Sequence, residues 1–236
     1  MLAAPSPAAA ATDRQVRTIA LPGTRTLSLE TTIGDVHIEG STRADAEIEI
    51  VRRAPTERAL ARIAVRFDET ATDVRVSALQ VEGGTDPAYR ADVTLRVPHG
   101  AQLRSLRLLE GRVTLRGVHG AIAADVRRGS ITATDVSGTV RLESGIGDIT
   151  VERGQLSPDG LLRLRTFNGD VRLALTARPL NARIMALALN GTIRSDIPLT
   201  MKDTWGPRWG EATLGRGEPV ISLDVVTGRI EIRAPK

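Results

Sequence analysis

Three aspartates sit between a glycine and a β-branched residue, in Gly34-Asp35-Val36, Gly147-Asp148-Ile149 and Gly169-Asp170-Val171. If these phrases stack in register, Asp35, Asp148 and Asp170 line one outer face. Aligned carboxylates can hold Ca²⁺ or supply the acid and base of a glycan-cleaving enzyme. The same position in related phrases holds Arg112, Ser130 and Thr192, however, and the glycine-rich calcium repeat is absent. Asp beside Gly also favours turns by bonding its own backbone, so a structural role is expected. His37, His99 and His119 occupy three different local contexts without zinc-ligand spacing and read as surface or turn residues. No Gly-x-Ser-x-Gly elbow occurs, and Gly215-Arg216-Gly217 lacks the lysine of a phosphate cradle. With no cysteine among 236 residues, disulfides and thiol chemistry are excluded. The reading is therefore no metal, no cofactor and no catalysis, with a glycan-active enzyme built on the stacked aspartates as the alternative.

Surface recognition is the chemistry that remains. Trp205, Arg208 and Trp209 lie close together in a Gly/Pro-containing stretch, where they either present an aromatic platform or cover an open end of the core. Arg163, Arg165, Arg172, Arg183 and Arg194 fall in neighbouring phrases and form either a basic stripe for anionic glycans or lipid head groups, or a solvated face with interleaved acids. All but Lys202 and Lys236 of the 32 basic residues are arginines, yet 28 acids are mixed among them and the net charge is only +4. No block of five like charges exists, so nucleic acid is not an expected partner.

These residues must be positioned by a repeat. The pattern glycine, polar residue, β-branched residue recurs at Gly34, Gly111, Gly129, Gly147, Gly169, Gly191 and Gly228. The five central copies are 18, 18, 22 and 22 residues apart, and the last follows after 37. Two residues after each glycine stands Val36, Val113, Ile131, Ile149, Val171, Ile193 or Ile230, and polar residues flank it. That is the period-two signature of a strand with one buried and one wet face. Ser195 interrupts the next apolar column and is expected near the edge of the regular core. One short strand cannot bury its face alone, so the copies must share a core. Only five aromatics are present, in keeping with a core of Val, Ile, Leu and Ala.

The expected fold is all-β, a β-helix-like solenoid of short strands with an irregular antiparallel meander near the amino terminus. Residues 1–16 read as a disordered or targeting-remnant tail and 17–236 as a single β-strand-repeat domain. Within it, 41–105 form the meander or cap, 106–197 the regular rungs, 198–217 a Trp-containing loop and 218–236 the last rung. Thr56 to Arg62 reads as a turn or two of helix. No run of 18 apolar residues occurs, so no membrane helix is expected. The Ala/Pro-rich start, with Ala8-Ala9-Ala10-Ala11, is similar to the end of an export signal that is missing or truncated.

The phrases Glu143-Ser144-Gly145-Ile146-Gly147-Asp148-Ile149, Thr166-Phe167-Asn168-Gly169-Asp170-Val171, Leu189-Asn190-Gly191-Thr192-Ile193 and Val226-Thr227-Gly228-Arg229-Ile230 occur in that order. From about Leu27 to Ile232, the chain resembles the bacterial putative-adhesin family of β-strand-repeat domains, a domain of unknown function. The resemblance implies an all-β, β-helix-like fold and an exported setting in the periplasm, at the cell surface or beyond it. The implied partner is an unidentified protein or glycan of the envelope, and it brings no catalytic residues. A role in envelope-stress signalling, cytosolic residence and the oligomeric state stay open.

Overall fold

The computed structural model describes residues 10–81, 84–202 and 206–235. These residues form a large mixed β-sheet of 19 strands with one short 3-10 turn, Arg58–Arg62. Thr56 begins that turn by accepting the Ala59 N–H on its hydroxyl.

The strands pair in two ladders. In the first, β2 (Thr26–Ile33), β6 (Asp73–Gln80), β8 (Gln102–Glu110), β10 (Ala121–Arg128), β12 (Thr139–Ile146) and β14 (Leu161–Asn168) are parallel neighbours, in the order β6, β2, β8, β10, β12, β14. In the second, β3 (Val36–Ser41), β7 (Arg90–Pro98), β9 (Val113–Arg116), β11 (Ile131–Thr134), β13 (Ile149–Gly154) and β15 (Val171–Leu175) run in the order β7, β3, β9, β11, β13, β15. Two 14-residue strands, β16 (Ala182–Ser195) and β19 (Val220–Arg233), pass through both ladders.

Five copies give one strand to each ladder with the glycine between them, whereas Gly191 and Gly228 lie inside β16 and β19 where those strands cross from one ladder to the other. Gly129 (φ +146°) separates β10 from β11, and Gly147 (φ +143°) separates β12 from β13. A side chain is strained at such φ values. A Cβ on Gly147 would also run into the carbonyl of Gly129, the glycine of the preceding copy. The columns that follow are buried: Ile131, Ile149, Val171 and Ile230 are each 0% exposed. They pack with Leu142, Leu164 and Leu223 of the first ladder in one core.

Several expectations are corrected. The copies do not stack in chain order, because β19 is inserted between β14 and β16. The copy at Gly228 is therefore next to last in space. The tail expected over residues 1–16 is not one from Ala11 onward (residues 1–9 lie outside the described residues). Strand β1 (Ala11–Ala20) pairs antiparallel with β4 (Asp45–Ala54) through all ten residues. As an edge strand wetted on most sides it lacks apolar alternation, and main-chain bonds plus the Arg14–Glu49 and Arg52–Asp13 ion pairs, both 2.6 Å, hold it. In 41–105, β4 and β5 (Ile63–Glu69) are antiparallel to their partners as expected. Strands β6 and β7, however, join the parallel ladders, because their apolar alternation (Val74, Val76, Ala78; Ala91, Val93, Leu95) faces the shared core. The loop expected over 198–217 contains β17 (Thr200–Lys202) and β18 (Arg208–Leu214), which extend the first ladder antiparallel beyond β16. Its Gly, Pro and charged residues concealed that pairing.

Candidate functional site

The aspartate column is a backbone device. Asp148 Oδ1 accepts the Asp170 N–H at 2.9 Å, and Asp170 Oδ1 accepts the Arg229 N–H at 2.9 Å. At the other end Asp35 Oδ1 accepts the Arg112 N–H, and Asp92 Oδ1 accepts the Asp35 N–H, both at 2.9 Å. Each carboxylate thus satisfies a donor of the next strand at the glycine corner, rather than its own turn as the sequence suggested. Asp92 was not singled out because it follows no glycine. Arg172 binds both Asp148 (2.9 Å) and Asp170 (2.8 Å).

Burial pushes the Asp148 carboxyl up, but the Asp170 N–H and the Arg172 guanidinium outweigh it and hold the group below its ordinary value of 3.8. A carboxyl depressed by folding stabilises the fold above its unfolded value, and this contribution is lost as pH falls through the folded value. Urea midpoints measured from pH 6 down to pH 2 should therefore drop less steeply in Asp148→Asn than in the parent. Equal slopes would remove Asp148 from the acid response.

The histidines are closer than the sequence implied. His99 and His119 occupy the same turn of successive copies and stack, with ring centroids 5.3 Å apart and planes 11° apart. His99 Nδ1 donates to the Gly117 carbonyl at 2.6 Å, and His119 Nε2 lies 3.9 Å from Asp135. His37 is on β3, away from them. Among the described residues no three His, Asp or Glu side chains gather as a metal site.

Of the two tryptophans only Trp209 is placed, since Trp205 lies outside the described residues. Trp209 is half-buried on β18, in register between Leu187 of β16 and Lys202 of β17. Its indole N–H donates to Glu211 at 3.2 Å, and the Lys202 ammonium lies 5.9 Å from the ring centroid. Arg208 is exposed beside it.

The five predicted arginines divide between two faces. Arg163, Arg165 and Arg183 belong to the first ladder, whereas Arg172 and Arg194 flank Glu231 in the second. Arg163 stands directly beside Arg141 of β12, and Arg165 stands between Glu143 and Asp224. Arg141 escaped sequence reasoning because it lies outside the glycine phrases. Among the described residues, the guanidiniums of Arg141, Arg163 and Arg165 have no hydrogen bond and no carboxylate within 4.0 Å, and Arg163 Nε is buried without a partner. A separate cleft of about 520 Å³ lies between loops 155–159, 176–181 and 216–219, with Leu156 and Leu175 on its wall and Arg178 and Arg216 beside them.

No helix among the described residues is long and apolar enough to cross a membrane. No family model and no curated protein matches the chain. Among solved structures, it is similar to a putative cell adhesion protein from Clostridium sporogenes, with 12% identity, 95% of this chain and 100% of that chain covered, and a TM-score of 0.49. A putative adhesin from Bacteroides fragilis is 12% identical over 93% of this chain and 97% of that one, with a TM-score of 0.38. A putative adhesin from Parabacteroides distasonis is 9% identical over 95% and 98%, with a TM-score of 0.30.

Proposed function

We propose that this chain is a non-enzymatic, adhesin-like binding protein of the cell envelope, coiled as a β-helix-like solenoid, that holds an anionic glycan on the outer face of its first ladder. Two ladders of parallel strands, joined at a glycine in every copy, support the coil. The envelope setting rests on the family resemblance of the glycine phrases.

The observation that carries the binding reading is the Arg141, Arg163 and Arg165 group. Like charges directly opposite on adjacent strands are unfavourable, and no carboxylate of the described chain lies within 4.0 Å of these guanidiniums. An external carboxylate or sulfate meets that need, since the guanidinium fork binds planar oxyanions bidentately. The aspartates of the rival enzyme reading are engaged with backbone N–H groups and with Arg172.

Retention on an immobilised polyuronate or sulfated polysaccharide at low salt tests the assignment. The double variant Arg141→Gln/Arg163→Gln should elute at clearly lower salt than the parent, and Arg172→Gln, on the other ladder, should elute with the parent. Equal elution of all three, or loss only with Arg172→Gln, would overturn it.

A further inference from the structure

The two ladders end differently at β16. In the first, β18 and then β17 cover residues 182–188 of β16. In the second, residues 190–195 of β16 pair with β19 alone, and among the described residues no strand lies on their other side. Asn190, Gly191, Thr192 and Arg194 are exposed. Ile193 is only half-buried, although its column mates Ile230, Val171 and Ile149 are 0% exposed. The apolar column therefore stops with its last member partly uncovered.

Other edges are blocked in the ways natural sheets use. Strand β1 carries paired charges, with Arg14 on Glu49 and Asp13 on Arg52, and its Arg17 lies 4.4 Å from the centre of the Phe67 ring. Strand β17 is three residues long and ends on Lys202. Strand β5 carries Arg66, Asp68 and Glu69. From Leu189 to Ile193 the edge has no charge and no proline.

We propose that the open edge Leu189–Ser195 accepts one extended strand from another polypeptide, added parallel to β16 and carrying a Gly-x-Val or Gly-x-Ile phrase opposite Gly191 and Ile193. The ladder itself fixes that chemistry. At Gly129, Gly147 and Gly169 a Cβ would collide with the carbonyl of the neighbouring glycine, so an incoming strand in register needs glycine over Gly191. Two residues on, each neighbour places a β-branched side chain inward, so the incoming strand needs one over Ile193. The Asp196 N–H bonds the Ile232 carbonyl. Residues of the same parity on β16 thus face β19, and the N–H and C=O of Ile193 and Ser195 face outward, free to pair. Main-chain bonds supply the affinity of such strand addition, and the alternate side chains supply its selectivity.

A labelled peptide copying residues 165–173, Arg-Thr-Phe-Asn-Gly-Asp-Val-Arg-Leu, is the probe, read by fluorescence anisotropy on the whole protein. It should bind saturably, and about tenfold more tightly than the same peptide with its Gly169→Val change. Ile193→Pro removes an outward N–H and should abolish binding, with circular dichroism confirming the fold. Absence of binding by the glycine peptide, or equal binding by both peptides, overturns the proposal. The peptide comparison decides it even if Ile193→Pro does not fold. Because the polysaccharide experiment concerns the outer face of β12 and β14, either result stands without the other.

Discussion

Valine in place of Gly147 is expected to destabilise the protein by about 3–5 kcal/mol, a large share of the roughly 5–15 kcal/mol that keeps an ordinary domain folded. Two effects combine. Gly147 has φ +143°, which a β-branched residue resists, and its Cβ would meet the Gly129 carbonyl. Neither backbone can retreat cheaply. The Gly147 N–H bonds the Asn168 carbonyl at 2.8 Å, the Gly129 N–H bonds the Ile146 carbonyl at 2.8 Å, and Thr166 Oγ1 donates to the Gly147 carbonyl at 2.8 Å. Gly23, which has open space around it, is the control, and its valine variant should change stability by about 0.5 kcal/mol or less. Urea unfolding followed by far-ultraviolet circular dichroism separates the two. Similar midpoints for both variants would show that the column does not require glycine.

The second large effect is expected at Leu164→Ala. Leu164 is 0% exposed at the centre of the first ladder, between Leu142 and Leu223 in register. Deleting a buried leucine costs about 2–5 kcal/mol, because the surroundings close the cavity only in part. The adjacent strands β12 and β19 feel the loss first, since they hold Leu142 and Leu223 in register with it. Arg165→Ala, one residue away but facing water, should lie within about 0.5 kcal/mol of the parent. A loss for Leu164→Ala no larger than that for Arg165→Ala would mean this position is not part of a packed core.

The glycine offset made the corners legible, because a residue without a Cβ is demanded at the same place in every copy. The column of β-branched residues made the buried face legible for the same reason, and Ile131, Ile149, Val171 and Ile230 are all fully buried. Spatial order was not legible. The phrases at Gly191 and Gly228 look alike, and nothing local says that Val220–Arg233 inserts beside β14. Pairing of that kind is decided by distant partners. Strand β1 escaped notice because an edge strand needs main-chain bonds more than apolar side chains. The arginines were found in part, since proximity in sequence placed Arg165 and Arg172 together, whereas the chain turns a corner at Gly169 and sends them to different ladders. The neighbour that matters to Arg163 is Arg141, two strands back in the chain.

The insertion of β19 also bears on how the protein is made. Strands β14 and β16 precede residues 220–233 in the chain, yet each meets β19 as a parallel neighbour in the finished molecule. During synthesis both must wait with bare edges, and the nascent chain must not let β16 dock directly on β14. The contacts that close this end span many residues and form slowly. A chain stalled at that stage offers two unpaired strands to its neighbours, which is the condition in which growing β-proteins associate wrongly. Strand β19 is thus a keystone set late, joining β14 and β16 only after both have been made.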